Sequence, residues 1–399
     1  MCHKYLRKLG VSTRYFFDLS NIFKAHGHEV IFFSMQDPRN IETQYSTYFV
    51  KNIDYNVNKS LLSYLKEGAH AIYSFESKKK AEAVVKATKP DGVFLHDIYH
   101  HLSPSILHVF KKYHLPVVLH LSDFYLICPS YRLLSNGKIC ERCKGGKFYN
   151  AIFEKCFRDS LGRSAAAALV TYIHRLFKIY ENNVDYFIAP SKFVKNKYVE
   201  MGFNGERIVH IPQAISLDGI KPNYKVSDYI LYFGVIEKWK GIGTLIKAMK
   251  NIKDVKLIIA GDGREKLKLE KLAQEMNLKN VVFVGYKVGN DLWDIVSNAS
   301  FVVVPSEWYE VYGMVTYESF AHGKPVIGSN IGGTAELIED GKTGLLFEPG
   351  NIRMLSEKIR YLINNPELII KMGKRAREKV ETELSPLRNY QSILSLLIR

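Results

Sequence analysis

Short apolar runs alternate with stretches of helical periodicity along almost the whole chain. Residues 29–34, 92–96, 116–121, 186–189 and 208–211 read as strands in the first half, and 229–234, 255–260, 281–285, 301–304 and 326–329 in the second. Runs this short, joined by amphipathic segments such as 15–25 and 314–321, indicate parallel sheets built from β-α-β units. Gly323 and Pro325 end the second of those helices. Pro212, Gly219 and Pro222 fall in a stretch of little periodicity that reads as a hinge over 213–228. The expected fold is therefore α/β, with two Rossmann-like parallel-sheet domains facing across a cleft, the usual place for a ligand. The first spans 1–212 and the second 229–384.

The densest chemistry follows the run 301–304: P-S-E-W-Y-E-V-Y-G-M-V-T-Y-E-S-F-A-H-G-K-P-V-I-G-S-N-I-G-G, residues 305–333. A strand, a glycine-containing loop and a helix N-terminus together form a ready anion site, because free backbone N–H groups converge there and the helix dipole favours negative charge. Glu310 and Glu318 lie on either side of Gly313. Like charges repel, so these carboxylates suit hydroxyl groups flanking an anion, as a ribose and a sugar flank a diphosphate. Taken alone, such spacing is more often a solvated helix face.

What outweighs that bland alternative is a resemblance. The segment is similar to the donor-site signature of the retaining glycosyltransferases of family 4 (glycosyl transferases group 1), with its P-S-x-x-x-E, G, E-x-x-A-x-G-x-P-V-I and G-G elements nearly all in place. The resemblance implies the GT-B architecture, with the last helix, 385–399, returning to the first domain. It implies a hexosyltransferase-type enzyme that needs no cofactor for catalysis. The sugar would pass from a UDP- or GDP-linked donor to a saccharide or lipid-linked acceptor, as in cell-surface polysaccharide synthesis. By the same resemblance Glu318 would hold the ribose, Glu310 would face the sugar and Lys240 would approach the diphosphate. Gly313, Met314 and Val315 would line the phosphates, Tyr286 would lie in the base-contacting loop, Gly10 would belong to the first glycine loop and His120 would stand near the transferred sugar. Two departures stand out. Val235 occupies the place of an arginine that accompanies the lysine. Nine residues precede Gly10, which leaves the family's first strand very short or missing. A catalytically weakened member of the same fold is thus the alternative.

Composition adds partners. Lys+Arg 56 against Asp+Glu 40 leaves a formal charge of +16, which favours anionic partners: phosphorylated substrates, nucleic acid or an anionic membrane face. Nucleic acid ranks last, since the basic residues are scattered and no recognition motif accompanies them. The N-terminal M-C-H-K-Y-L-R-K-L-G has no apolar signal core and no run is long enough to span a bilayer, so a cytoplasmic protein resting on a membrane face is expected. Four of the five cysteines, Cys128, Cys140, Cys143 and Cys156, are spaced C-x11-C-x2-C-x12-C through turn-rich sequence. In a reducing compartment this pattern favours a structural zinc, with an iron–sulfur cluster or two disulfides as alternatives.

Overall fold

The computed structural model describes residues 1–7, 11–53, 61–214 and 216–398. The chain forms two compact units, one of Met1–Asn136, Cys140–Ile215 and Pro386–Arg399, the other of Gly137–Ile139 and Ser216–Ser385.

In the first unit five parallel strands, β1 (Cys2–His3), β2 (Val93–His96), β3 (Val117–His120), β4 (Tyr186–Ala189) and β5 (Ile208–His210), lie side by side in that order. Most of their side chains are apolar, as strands covered by helices on each side require, and His3, His96, His120 and His210 end four of them. The very short opening strand is β1. It pairs with β2 in the register Cys2↔Leu95 and His3↔His96, and Cys2 bridges Phe33 on its other side. Residues 29–34, expected to be a strand, make only that single bridge, and Met35 bridges Val50 beyond it. β1 therefore sits inside the sheet. Gly10, with Lys8 and Leu9, lies outside the described residues.

The helix Val11–Ala25 buries Tyr15, Phe16, Leu19 and Phe23 against Phe32, Phe94, Val118 and Ile188. Tyr390 and Ile393 of the helix Pro386–Leu397 complete this core. Tyr15 donates to Asn389 Oδ1 at 3.2 Å, and His28 Nε2 meets the Tyr390 hydroxyl at 2.7 Å. Serine N-caps begin the helices Leu161–Leu176 and Lys192–Glu200, where Ser160 and Ser191 accept from the N–H groups of Arg163 and Val194.

The second unit holds six parallel strands: β6 (Tyr229–Phe233), β7 (Lys256–Ala260), β8 (Val281–Gly285), β9 (Val302–Val304), β10 (Val326–Ser329) and β11 (Gly344–Phe347). Their spatial order is β8-β7-β6-β9-β10-β11. This is the 3-2-1-4-5-6 order of a doubly wound fold, which reverses direction between its first and fourth strands. The expected strands of this half are all present; β11 was not foreseen. Ligands in such sheets bind outside the carboxyl ends of the strands at that reversal. Here it lies between β6 and β9. Two loops leave the sheet there, and they carry the residues singled out by the motif.

Candidate functional site

After β6 the chain runs through Gly234 into a tight turn, Lys238–Lys240, and then the helix Ile242–Ala248. Gly241 takes φ +67° at this junction, and a Cβ there would stand 1.8 Å from the Pro305 carbonyl oxygen. Only glycine lets the two loops approach this closely. Trp239 O accepts from the Glu307 N–H at 2.8 Å, and Thr244 Oγ1 donates to Glu307 Oε1 at 2.5 Å. These contacts lock the β6 loop to the β9 loop.

The lock brings Lys240 and Glu310 together. Lys240 Nζ lies 2.6 Å from Glu310 Oε1, and Ser306 Oγ donates to the same oxygen at 2.7 Å. The Lys240 ammonium also sits 5.3 Å from the centre of the Trp308 ring. Burial pushes the Glu310 carboxyl up, but the adjacent Lys240 charge and the hydrogen bonds from Lys240 and Ser306 outweigh it and hold the group below the usual carboxylate range. Glu310 is therefore a fixed, ionised carboxylate. Its backbone is pinned too, since its carbonyl accepts from Gly333 N–H at 2.7 Å.

Gly313, at φ +92°, ends the β9 loop and starts the helix Met314–Ala321, which carries no side-chain cap. Thr316 and Tyr317 bond back to the Gly313 carbonyl. The N–H groups at Met314 and Val315 precede them in the first turn, where an anion is favoured. Met314 is buried and Val315 half-buried. Glu318 lies in the second turn of this helix and is 5% exposed, so its carboxylate is packed within the unit. Tyr286, just past β8, is well exposed at 70%. Val235, in the place where an arginine was expected, is also exposed, and its carbonyl accepts from the Tyr232 hydroxyl at 2.7 Å.

His120 ends β3 in the first unit and is fully buried. Its ring stacks on His96 with centroids 4.8 Å apart, and its Nε2 faces Gln213 Nε2 at 3.3 Å. His120 is thus a packed imidazole at the carboxyl end of its strand. Polar groups gather beside it, around the pair His96–Asp97 at the end of β2. Asp97, at φ +49°, has Lys4 Nζ 3.6 Å and His3 Nε2 3.7 Å from its Oδ2, and it accepts from Ser122 Oγ. Among the described residues, His3, His96 and Asp97 are the His, Cys, Asp or Glu set whose ligand atoms lie within 4.8 Å of one another. Lys4 already supplies a counter-charge to that carboxylate.

Burial makes this region acid-sensitive. It pushes His120 down to about 4, with Asp97 opposing, pushes His100 down to about 3, and pushes His174 down to about 4. Such imidazoles contribute stability that is fully present above the ordinary value of 6.5 and is lost as pH falls toward the folded values. Asp123 works in the opposite sense: burial first, then Asp97, push its carboxyl up to about 7, which penalises the fold as pH rises from the ordinary 3.8. Three histidines outweigh one carboxyl. The melting temperature should therefore drop between about pH 7 and pH 4.5, and His120→Asn should flatten the slope. A melting temperature that stays level or rises on acidification would contradict this balance.

All four clustered cysteines are unpaired; Cys128 and Cys143 are buried and Cys140 and Cys156 half-buried. Burial first, then the negative charge of Cys128, Cys156 and Cys140, push the Cys143 thiol up to about 12. The sulfurs thus act on one another electrostatically, although among the described residues no three of them lie within 4.8 Å of one another. Their immediate packing is small: Phe148, Ala151 and Ala168, with Ile152 at the edge.

The two α/β units have close counterparts among solved structures. Anabaena HepE, crystallised in complex with UDP-glucose, aligns over 99% of this chain and 98% of that chain with a TM-score of 0.65 at 18% identity. Sucrose-phosphate synthase from Thermosynechococcus elongatus aligns over 99% of this chain and 94% of that one, with a TM-score of 0.69 at 20% identity. The fold is that of the GT-B glycosyltransferases. The pattern described as Glycosyltransferase Family 4 matches residues 12–218, and that described as Glycosyl transferases group 1 matches 218–379. The chain belongs to glycosyltransferase family 4. An uncharacterized glycosyltransferase of Methanocaldococcus jannaschii is 36% identical over 204 residues, 51% of this chain and 56% of that protein. The N-acetyl-alpha-D-glucosaminyl L-malate synthase of Bacillus anthracis is 28% identical over 206 residues, 50% of this chain and 52% of that protein. The chain spans about half the length of these two relatives.

Proposed function

We propose that the protein is a retaining glycosyltransferase of hexosyl type, using a UDP- or GDP-sugar and a saccharide or lipid-linked acceptor in cell-surface polysaccharide synthesis. The observation that carries this reading is the Lys240–Glu310 pair, held at 2.6 Å where the second sheet reverses, beside the uncapped start of Met314–Ala321. A diphosphate leaving group gains negative charge as its bond to the sugar breaks, and a preorganised ammonium and helix N–H groups stabilise that charge. Lys240 and the first turn at Gly313, Met314 and Val315 supply both. Glu310 is ionised and oriented, which suits accepting hydrogen bonds from sugar hydroxyls. Glu318 would accept from the ribose hydroxyls, and Tyr286 would lie along the base. The HepE structures, which hold UDP, glucose and UDP-glucose, support the choice of donor class.

The test is donor hydrolysis and transfer with a panel of uridine and guanosine diphosphate sugars, with product anomers read by NMR. The expected result is turnover of one donor class with the sugar's configuration kept. An inverted product would sink the retaining assignment alone. Tight binding of a donor without turnover would favour the weakened member of the fold, for which Val235 is the specific observation. Absence of binding to any nucleotide sugar would overturn the reading.

We also propose that Cys128, Cys140, Cys143 and Cys156 hold a structural zinc. The donor set fits in kind: four thiols of one segment act on one another, and zinc would bind them as thiolates in a closed four-sulfur shell.

A further inference from the structure

The helix Leu161–Leu176 turns large apolar side chains outward, unlike an ordinary surface helix. Its buried residues are Ser164, Ala168, Val170, Thr171 and His174, so polar and small side chains share its inner face. Its exposed positions are Leu161, Gly162, Ala166, Leu169, Tyr172 and Leu176, and none is charged. A surface helix normally turns charged and polar residues outward and its apolar stripe inward. At about 100° per residue, Leu161, Leu169, Tyr172 and Leu176 fall within an arc of about 80°. They form one continuous stripe along four turns. Leu169 is 55% exposed and Leu176 77%.

Neighbouring residues extend it. Phe177 follows the helix at 65% exposure, and Phe153, at 77%, ends the short helix Asn150–Phe153. Tyr149 joins the two, its N–H donating to the Tyr172 hydroxyl at 3.2 Å and its ring lying 6.3 Å from that of Phe153. Exposed apolar side chains this concentrated mark a docking surface.

The surrounding charge selects the partner. Lys144, Lys147, Lys155, Arg158 and Lys178 are all exposed in the same stretch of chain, whereas the acidic residues there are Asp159 and Glu154, the latter paired with Arg142. An apolar stripe rimmed by lysine and arginine is the pattern of a helix lying in a bilayer interface, with its apolar side chains among the acyl chains and its cations at anionic headgroups. A second copy of this chain carries the same positive rim, so pairing through this face would oppose like charges.

We propose that the face formed by Tyr149, Phe153, Leu169, Tyr172, Leu176 and Phe177 docks the protein on an anionic lipid bilayer. The inference stands apart from the transfer reading, since it concerns attachment and uses none of the donor-site residues.

The experiment is cosedimentation of the full chain with phosphatidylglycerol–phosphatidylcholine vesicles and with pure phosphatidylcholine vesicles. Binding is expected to the first, with a partition coefficient about tenfold or more higher than to the second, weakening as salt shortens the Debye length from about 10 Å at 0.1 M to about 3 Å at 1 M. Leu169→Glu with Leu176→Glu should lower partition by about tenfold or more, because it places charge where acyl chains are met. Leu267→Glu, at a site 80% exposed in the other unit, should leave it unchanged. Phe153→Trp should show a blue-shifted emission increment with the anionic vesicles, a readout that does not depend on the acidic variants folding. Equal binding by the Leu169 and Leu176 variant, or no shift from Phe153→Trp, would overturn the proposal. So would a wild-type dimer that the acidic variant splits and that ignores vesicles, which would give the face to a second copy.

Discussion

Lys240→Ala should lower kcat by about 10²–10³ while changing donor KM far less. The lysine is placed to meet charge that develops as the diphosphate leaves, and an interaction made mainly in the transition state is lost from kcat. The variant has a second, separable consequence. Glu310 is held ionised against burial by the Lys240 charge, so removing the ammonium strands a buried carboxylate. Breaking such a pair typically costs about 3–5 kcal/mol. Glu310→Gln removes the opposite partner, and the remaining lysine keeps an amide oxygen as acceptor. It should therefore lose stability less than Lys240→Ala while still losing transfer. Pairing Lys240→Ala with Glu310→Gln should recover stability without recovering kcat. Full recovery of kcat in the double variant would show that Lys240 acts only as a counter-ion. Glu318→Ala should instead raise the donor KM, because ribose contacts are similar in the ground and transition states. Val235→Arg adds a cation at an exposed site and should raise transfer or leave it unchanged; a large loss would mean that the diphosphate lies elsewhere.

The ion pair also shows what sequence alone leaves hidden. Lys240 and Glu310 were each assigned to the donor, the one to the diphosphate and the other to the sugar, but nothing in their separate loops announces a 2.6 Å contact. It arises from topology: β6 and β9 become neighbours only because the sheet reverses there. The strands of the second unit were legible because parallel, doubly covered strands read as unbroken apolar runs. β1 was not, since two residues beside Lys4 and Arg7 carry no periodicity, and only Cys2 and His3 pairing with Leu95 and His96 define it. The helix Met314–Ala321 matched its expected bounds because Gly313 and Gly323 punctuate it. Burial was the hardest property to foresee. His120 and Glu318 were chosen for their chemistry, yet both are packed, and a histidine at a strand end gives no sequence signal of which side its ring will take. The outward apolar stripe of the helix Leu161–Leu176 was hidden for a related reason: the apolar content is plain in the sequence, and only the fold says which face meets solvent.

Purified, reduced protein should contain about one equivalent of zinc, and Cys140→Ser should lose it. The argument begins from electrostatics. Burial and three neighbouring sulfurs push the Cys143 thiol up to about 12, so without a cation that thiol stays protonated near neutrality. A zinc ion would reverse that preference by binding thiolates directly, releasing protons as it does so. It would also draw the sulfurs together toward a Zn–S distance of about 2.3 Å. The apolar packing available to this segment is a handful of side chains, Phe148, Ala151 and Ala168 chief among them, so the metal would carry much of its stability. Loss of zinc should accordingly expose residues between Cys128 and Cys156 to limited proteolysis while the second unit stays resistant. Acidification should release the metal, since protons compete for the thiolates. Cys2→Ser serves as the control: Cys2 lies in β1, paired to Leu95, and should have no effect on metal content. An iron–sulfur cluster would declare itself by visible absorption, and disulfides by a mass change on reduction. Metal-free protein that resists proteolysis through this segment would show that the four cysteines fold without a cation.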